Sequence, residues 1–557
     1  MSLGLAALRL PEPALETVVR GWRAPALLIL LCLALYLPGI ASLPPTDRDE
    51  ARFTQATRQM LESHDFLLPR FQDEARNKKP AGIYWLQAAS VAVFSRAGSA
   101  AIWPYRLPSL LGALVAVLLT FRFGVPWVGR ETAFIGAALL AASLGLTIEA
   151  HIAKTDAVLL ATVVAAQGAL GEIYRRACNA EAIDWRLPLL FWVAQGIGLL
   201  IKGPVTPFLS FLTVAMLCIT ERDSHWLREF RISWGLPLAI LIAGPWMLAI
   251  NLATEGAFMR DSIGGDLLAK LFHGQEGHWA PPGTYLVATL ITFWPGSLLL
   301  GAAARLAWRE RQDNLIRLLA AWILPYWVVV EIIPTKLPNY ILPVYPALAL
   351  LAACAFADTA EPRRSWLDIA AIVLWSLATL ALAIVLAGAP VQLGGAVSPI
   401  AIAAAVLVLA VAAVFLLGWL LRQPRILPGL LAAVLLAESA FALVLPALDP
   451  LWLSRGAARA IARHHLEGRP VAAAGFAEPS LVFLLGTGTK LTSGAVAASF
   501  LAATPTGIAL VSDREEAAFR AALAARKIEV TAVDTVSGLN YSNGRHLTLT
   551  LYEAAPK

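Results

Sequence analysis

Apolar stretches about 20 residues long recur from Pro25 to Leu445, and no other feature limits the fold of this chain as strongly. A hydrocarbon core about 30 Å thick takes about 20 apolar residues per helix, because a spanning segment must satisfy its backbone N–H and C=O groups internally. About 13 spans are predicted on this basis. They cover residues 25–43, 106–123, 132–149, 155–174, 187–201, 204–220, 234–252, 284–305, 316–333, 338–357, 366–388, 398–420 and 427–446. Only Lys202-Gly203-Pro204 separates the fifth from the sixth. With 58% hydrophobic and 15% charged residues the composition excludes an ordinary soluble globule.

The cations alternate with these spans. Arg9, Arg20 and Arg23 precede the first; Arg122 and Arg130 follow the second; Arg175, Arg176 and Arg186 lie between the fourth and fifth. The same side collects Arg222, Arg228 and Arg231, then Arg305, Arg309, Arg311 and Arg317, then Arg363 and Arg364, and finally Arg422 and Arg425. Cytoplasmic loops carry such an arginine excess, so the N-terminus is expected inside and the C-terminus outside. These arginines account for most of the formal charge of +6, and no nucleic acid partner is assigned. Cys32, Cys218 and Cys354 fall in spans and Cys178 in a cytoplasmic loop, so no disulfide framework is expected. Arg20, Arg23 and the small residues Ala41 and Ser42 give the first span a faint likeness to a cleaved signal, but cleavage would discard the anchor of the first outer loop.

That loop is dense in charge. Asp47-Arg48-Asp49-Glu50-Ala51-Arg52-Phe53 follows the first span, and Asn77-Lys78-Lys79-Pro80-Ala81-Gly82-Ile83-Tyr84-Trp85 comes about thirty residues later. Asp49 is placed to cap a helix whose apolar residues Phe53, Ala56, Met60 and Leu61 recur at helical spacing, predicting an amphipathic helix lying flat at the interface. A second short helix is expected from Ala81 to about Phe94. Another long outer loop, Leu252 to Gly283, carries Arg260, Asp261, Asp266, Lys270, His273, Glu276 and His278. After Leu451 helical patterns (Ser454–His464, Asp513–Lys527) alternate with short apolar runs at Pro470–Ala474, Gly507–Val511, Ile528–Val533 and His546–Tyr552. The expected architecture is an all-α polytopic membrane protein with outer amphipathic helices over 1–450, plus a small outer α/β domain over 451–557.

Several outward connections supply polar residues to what can be one site. The first loop gives Asp49, Arg52, Lys79 and Tyr84; the link between the third and fourth spans gives Glu149, His151, Lys154 and Asp156. Lys202 sits in the next outward turn, Arg260 and Lys270 in the long loop, and Lys336 with Tyr340 in Pro334-Thr335-Lys336-Leu337-Pro338-Asn339-Tyr340. Ionisable groups beside a bilayer are costly unless paired or hydrated, so their gathering on one side suggests shared use. The chemistry that fits is sugar transfer from a lipid-linked phosphate: Lys, Arg and Tyr donors stabilise charge on the departing phosphate, and a carboxylate takes the acceptor proton. Asp49 is the expected base. Asp156 is the second catalytic candidate, to orient Asp49, hold a sugar hydroxyl or help hold a divalent cation, the one cofactor left open. His273, Glu276 and His278 have a spacing that zinc could use, but such a set is more often exposed loop histidines, and no metal site is assigned.

At these residues the chain resembles the GT-C membrane glycosyltransferases, specifically the bacterial aminoarabinose transferases and their relatives in the protein O-mannosyltransferase superfamily. Asp49-Glu50-Ala51-Arg52, Lys79-Pro80 with Tyr84-Trp85, Lys202-Gly203-Pro204, Lys336 to Pro343 and Asn540-Tyr541-Ser542-Asn543-Gly544-Arg545 carry the likeness. It implies a GT-C fold of the bacterial inner membrane, with active site and C-terminal domain periplasmic. It also implies an undecaprenyl-phosphate-linked donor, of the 4-amino-4-deoxy-L-arabinose type, and lipid A as acceptor. Carried over, Asp49 resembles the catalytic aspartate, Lys79 and Tyr340 phosphate ligands, and Arg52 and Lys202 their cationic neighbours. Two positions depart from the pattern: Lys78 stands where Glu is typical, and Phe53 where Tyr is. A lysine there suits a carboxylated sugar such as galacturonic acid, so that donor is an alternative, as is transfer to protein or polysaccharide hydroxyls. A transporter of lipid-linked substrate is the non-enzyme reading, and it would be expected to place ionisable groups at mid-membrane. The second, eleventh, twelfth and thirteenth spans carry almost none there.

Overall fold

The computed structural model describes residues 13–96, 98–268, 279–358 and 365–554. After a short helix α1 (Pro13–Val18) come α2 (Arg23–Tyr36), α3 (Asp49–Ser63), α4 (Gly82–Phe94), α5 (Trp103–Ala142), α6 (Leu144–Ala150), α7 (Asp156–Cys178), α8 (Arg186–Lys202), α9 (Val205–Glu221) and α10 (Ile232–Ala253). Helices at Asn314–Ile332, Tyr345–Ala357, Trp366–Gly394 and Pro399–Leu420 continue the bundle. Among the described residues 8 helices are long and apolar enough to cross a membrane, which makes this a multi-pass membrane protein. The other expected spans are carried by shorter or interrupted helices. The second and third are two helices that meet at Gly129, whose φ of 77° only glycine adopts without strain. The eighth breaks between Thr284–Thr292 and Leu300–Arg309, where Pro295 lacks the N–H a continuous helix requires. The last, itself one of the 8, is Ile426–Ala437 continued by a π-helical stretch, Glu438–Val444.

The outer layer differs from expectation in one respect. The helix α3 does not lie flat on an open surface: its polar Thr54, Gln55 and Thr57 are as buried as Phe53, Ala56 and Met60. Each polar side has a partner. Thr57 donates to the Gln87 side chain of α4 at 2.7 Å, Gln87 in turn donates to the Ala153 carbonyl, and Gln55 donates to Thr487 Oγ1 at 2.8 Å. Arg58 donates to the Phe483 carbonyl, fixing α3 against the short helix Pro479–Leu485. A helix with polar partners on several sides is held by packing and hydrogen bonds rather than by one greasy face.

Between α3 and α4 a small hairpin pairs β1 (Arg70–Phe71) with β2 (Glu74–Ala75). The C-terminal region is built on β3 (Val471–Ala474), β4 (Lys490–Thr492), β5 (Ile508–Ser512), β6 (Val530–Asn540) and β7 (Arg545–Ala554), in the order β4-β3-β5-β7-β6. Strand β3 is parallel to both neighbours, while β7 runs antiparallel to β5 and β6. The central strands β3 and β5 are buried throughout, as expected where helices cover both faces of a sheet. The helix Gly494–Ala503 and strand β4 were not expected from the sequence: an alanine-rich helix and a three-residue strand leave little periodicity to read.

Candidate active site

Glu50 and Arg106 form the foundation of the outer rim. Both are fully buried, and Arg106 Nε and Nη2 donate to the two Glu50 carboxylate oxygens at 2.7 and 2.9 Å. Every remaining valence is used: Arg106 also donates to the carbonyls of Ile40, Leu43 and Pro44, and Glu50 accepts from the backbone of Thr46 and Ala153. Burial favours protonation of Glu50, but the Arg106 charge and these donors outweigh it and lower its pKa. The pair ties the first loop to α5 and to the link before α7. The sequence does not single it out, because an arginine beside an apolar run reads as a boundary residue.

A second cluster gathers at the start of α7. The buried Asp156 accepts from Lys202 Nζ at 2.5 Å and from Asn339 Nδ2 at 2.7 Å through Oδ1, with Thr155 Oγ1 at 3.5 Å and Lys154 Nζ at 3.8 Å from Oδ2. Lys154 lies 3.0 Å from Glu149, whose second oxygen is buried without a hydrogen-bond partner among the described residues. The Lys202 ammonium also sits 5.5 Å from the centre of the Tyr340 ring. Three expected residues, Asp156, Lys202 and Tyr340, are therefore brought together from α7, α8 and the turn Pro338–Val344. The Oδ1 oxygen is thus held by Lys202 and Asn339, while Oδ2 faces Thr155 and Lys154 at longer range.

Asp49 differs. It is exposed at the first position of α3, makes no capping bond, and has no ion pair among the described residues. The expected cap is absent because Arg48, with φ of 63°, takes the capping position, and Glu50 instead accepts from the Thr46 N–H. Asp49 borders both groups just described. Burial pushes the Lys154 ammonium down, but Glu149, Asp156 and, more weakly, Asp49 outweigh it and raise its pKa. Burial raises the Tyr84 phenol, the Arg76 charge opposes that rise, and Asp49 adds to it. Tyr84 is fully buried, packs 5.4 Å from the Phe53 ring, and its hydroxyl has no hydrogen-bond partner within the usual geometry. Over the same Phe53 ring, 4.6 Å from its centre, lies the Arg76 guanidinium, a residue the sequence does not single out.

The remaining expected residues divide. Lys79 is half-buried in the segment leading into α4, next to Asn77, whose side chain donates to Asp261 at 3.0 Å and so docks the Arg260 segment on the first loop. Arg260 itself is exposed and donates to the Glu255 carbonyl. Arg52 is half-buried with no ion pair among the described residues. Lys336 is engaged elsewhere, since its buried ammonium donates to the carbonyls of Val330, Glu331 and Ile333 and closes the C-terminal end of the helix Asn314–Ile332. Three carbonyl acceptors match the three protons of an ammonium. Lys270, His273, Glu276 and His278 lie outside the described residues. Among the described residues no three His, Cys, Asp or Glu side chains gather as a metal site.

The whole rim is braced from the far end of the chain. The Tyr541 hydroxyl accepts from the Asp47 N–H at 2.7 Å, Arg48 donates to the Ser542 carbonyl at 2.7 Å, and the Ser480 N–H donates to Asp47. The turn Asn540–Arg545 thus holds the two residues that precede Asp49.

Comparison with known proteins fits this geometry. A solved structure of ArnT from Cupriavidus metallidurans bound to undecaprenyl phosphate superposes with a TM-score of 0.74 at 18% identity, covering 94% of this chain and 97% of that one. The apo form of the same protein gives 0.68 at 19% identity, with the same coverage. This is an ArnT-like GT-C fold. Residues 78–248 match the family model of dolichyl-phosphate-mannose-protein mannosyltransferases. Curated relatives named undecaprenyl phosphate-alpha-4-amino-4-deoxy-L-arabinose arabinosyl transferase include one from Pectobacterium carotovorum, 26% identical over 65% of this chain and 66% of that protein. Another, from Pseudomonas paraeruginosa, is 29% identical over 60% of each. The chain spans a little under two thirds of the length of these relatives. The ArnT-like fold accounts for the bundle, the outer helices and the C-terminal sheet together.

Proposed function

We propose that this protein is a membrane glycosyltransferase that moves a single sugar from undecaprenyl phosphate to lipid A or a related glycolipid on the periplasmic face of the bacterial inner membrane. The names of the relatives and the lipid phosphate bound to the structural neighbour support the donor class. The arginine-rich side of the bundle, shared by Arg130 and the N-terminal segment it hydrogen-bonds at the Val19 carbonyl, supports the orientation. One observation carries the reading. Of the two candidate aspartates, Asp156 is buried and fully engaged, whereas Asp49 presents an exposed carboxylate without a partner among the described residues, beside Lys154 and Tyr84.

In this reading the bond from the anomeric carbon to the phosphate oxygen breaks, and its electron pair stays on the phosphate. Lys79, Lys202 and Tyr340 stabilise that growing charge as fixed donors. The acceptor oxygen forms the new bond and gives its proton to Asp49, or is oriented by Asp49 where it is already ionised. Asp156 keeps the Lys202 ammonium in place. Mass spectrometry of envelope lipids from cells with the wild-type chain, without it and with Asp49→Asn is the test. The expected result is a sugar-sized mass on lipid A that requires Asp49. A change confined to glycoprotein or polymer would replace the acceptor, and no change in any glycoconjugate would overturn the reading.

A further inference from the structure

The Phe53–Tyr84–Arg76 group raises a question that phosphate binding leaves unanswered. Arg76 is anchored through its backbone, its N–H donating to the Pro69 carbonyl at the base of the β1–β2 hairpin, so the guanidinium is presented from a fixed point. It is half-buried, its Nε is shielded from solvent with no hydrogen-bond partner, and it has no carboxylate partner among the described residues. The fully buried Tyr84 hydroxyl beside it faces the Arg76 guanidinium and has no other partner among the described residues. Buried polar atoms are usually satisfied in folded proteins, so an arginine Nε shielded from water, stacked on Phe53 and set beside a buried phenol marks a place where an anionic ligand can complete the bonding.

The character of these groups narrows the ligand. Guanidinium Nε and Nη protons form a fork that matches the two oxygens of a carboxylate, and stacking on the Phe53 ring fixes the plane of that fork. Lys78, exposed in the same segment, adds a second cation. A sugar carrying an ammonium group would be repelled here, and a neutral sugar would leave the guanidinium unpaired. In the transferase reading above Lys79, Lys202 and Tyr340 hold the phosphate, which leaves Arg76 to the sugar.

We propose that Arg76, supported by Lys78 and the Tyr84 hydroxyl, forms a subsite for the carboxylate of an acidic donor sugar, so that the transferred group is a uronic acid. This rests on the transferase reading above. It makes Arg76 a specificity residue for the donor, not a ligand of the lipid phosphate.

The test uses the full-length protein in lipid nanodiscs with four probes of one polyprenyl chain: the bare phosphate, and its galacturonic acid, galactose and 4-amino-4-deoxyarabinose esters. The first two sugars differ only in the C6 carboxylate. Binding and transfer to lipid A are expected to favour the galacturonic acid ester, and Arg76→Gln is expected to lower kcat/KM for it by about 10- to 100-fold, as loss of a charge-assisted pair does. The galactose ester and the bare phosphate should shift far less, and Arg76→Lys should restore part of the preference. A wild-type preference for the amino sugar or for galactose overturns the proposal. So does an Arg76→Gln variant that weakens all four probes equally, which would make Arg76 a phosphate ligand, or one that changes only the KM for lipid A. Failure of the transferase reading has another signature: the bare phosphate does not bind and no ester transfers.

Discussion

Asp49 and Glu50 are adjacent on one helix, yet they belong to two regions built on opposite rules. Around Glu50 every donor and acceptor is matched, from the bidentate Arg106 to the Thr46 and Ala153 amides. Around Asp49 the matching stops: its carboxylate is exposed, the second oxygen of Glu149 and the Nε of Arg76 are buried without partners among the described residues, and the Tyr84 hydroxyl has only Arg76 beside it. A buried charge pair removed from water is tolerable only when saturated, so the first region can do nothing but hold shape. Groups left unsatisfied are the ones available to a ligand. Charge density alone does not separate the two; pairing does.

The comparison breaks most sharply at Asp49. Asp49→Asn should lower kcat by about 10²- to 10⁴-fold when a hydroxyl is the acceptor, with the melting temperature of the purified protein unchanged. The reverse pattern is expected next door: Glu50→Gln or Arg106→Met should cost about 3–5 kcal/mol of stability by leaving a buried charge unpaired, read as loss of monodisperse protein on heating. Equal stability losses at Asp49 and Glu50 would erase the distinction. Lys336→Met sharpens it at lower amplitude, since loss of a helix-end cation should lower stability by about 1–2 kcal/mol while leaving the KM for donor intact. A raised KM would return Lys336 to the binding site.

The smallest effect concerns pH. Burial pushes Asp47 up to about 7, with Ser480 opposing and Glu478 adding to the shift. The folded protein therefore keeps a proton there that the free carboxyl releases near pH 4, so the contact between Asp47 and the C-terminal region loses stability as pH rises from about 4 to 7 and is weakest above that. Protection factors at residues 540–545, corrected for the intrinsic pH dependence of exchange, should be higher at pH 6 than at pH 8, and Asp47→Asn should flatten the difference. An unchanged slope in that variant would assign the effect to another group.

Much of this is legible in the residues. Apolar run length marks the bundle, and Asp156, Lys202 and Tyr340, which the fold brings together, stand out as polar groups at span ends. The Glu50–Arg106 pair does not, because its meaning lies in a contact between residues 56 positions apart, one of which looks like a span boundary. Arg76 carries no periodic signal either; only its place over Phe53 reveals it. The contacts of Lys336 are hidden for the converse reason: an outward lysine beside a Tyr suggests a ligand, and the carbonyls it donates to belong to a helix end that sequence does not display.

The turn Asn540–Arg545 reaches back across 494 positions to Asp47 and Arg48. During synthesis the first loop leaves the ribosome long before its clasp exists, so Asp47 and Arg48 remain without their brace until the last strands have folded. Under the proposed function, completion of the chain would thereby act as a checkpoint on the chemistry, since an unfinished copy would populate the membrane with an unbraced start to the Asp49 helix.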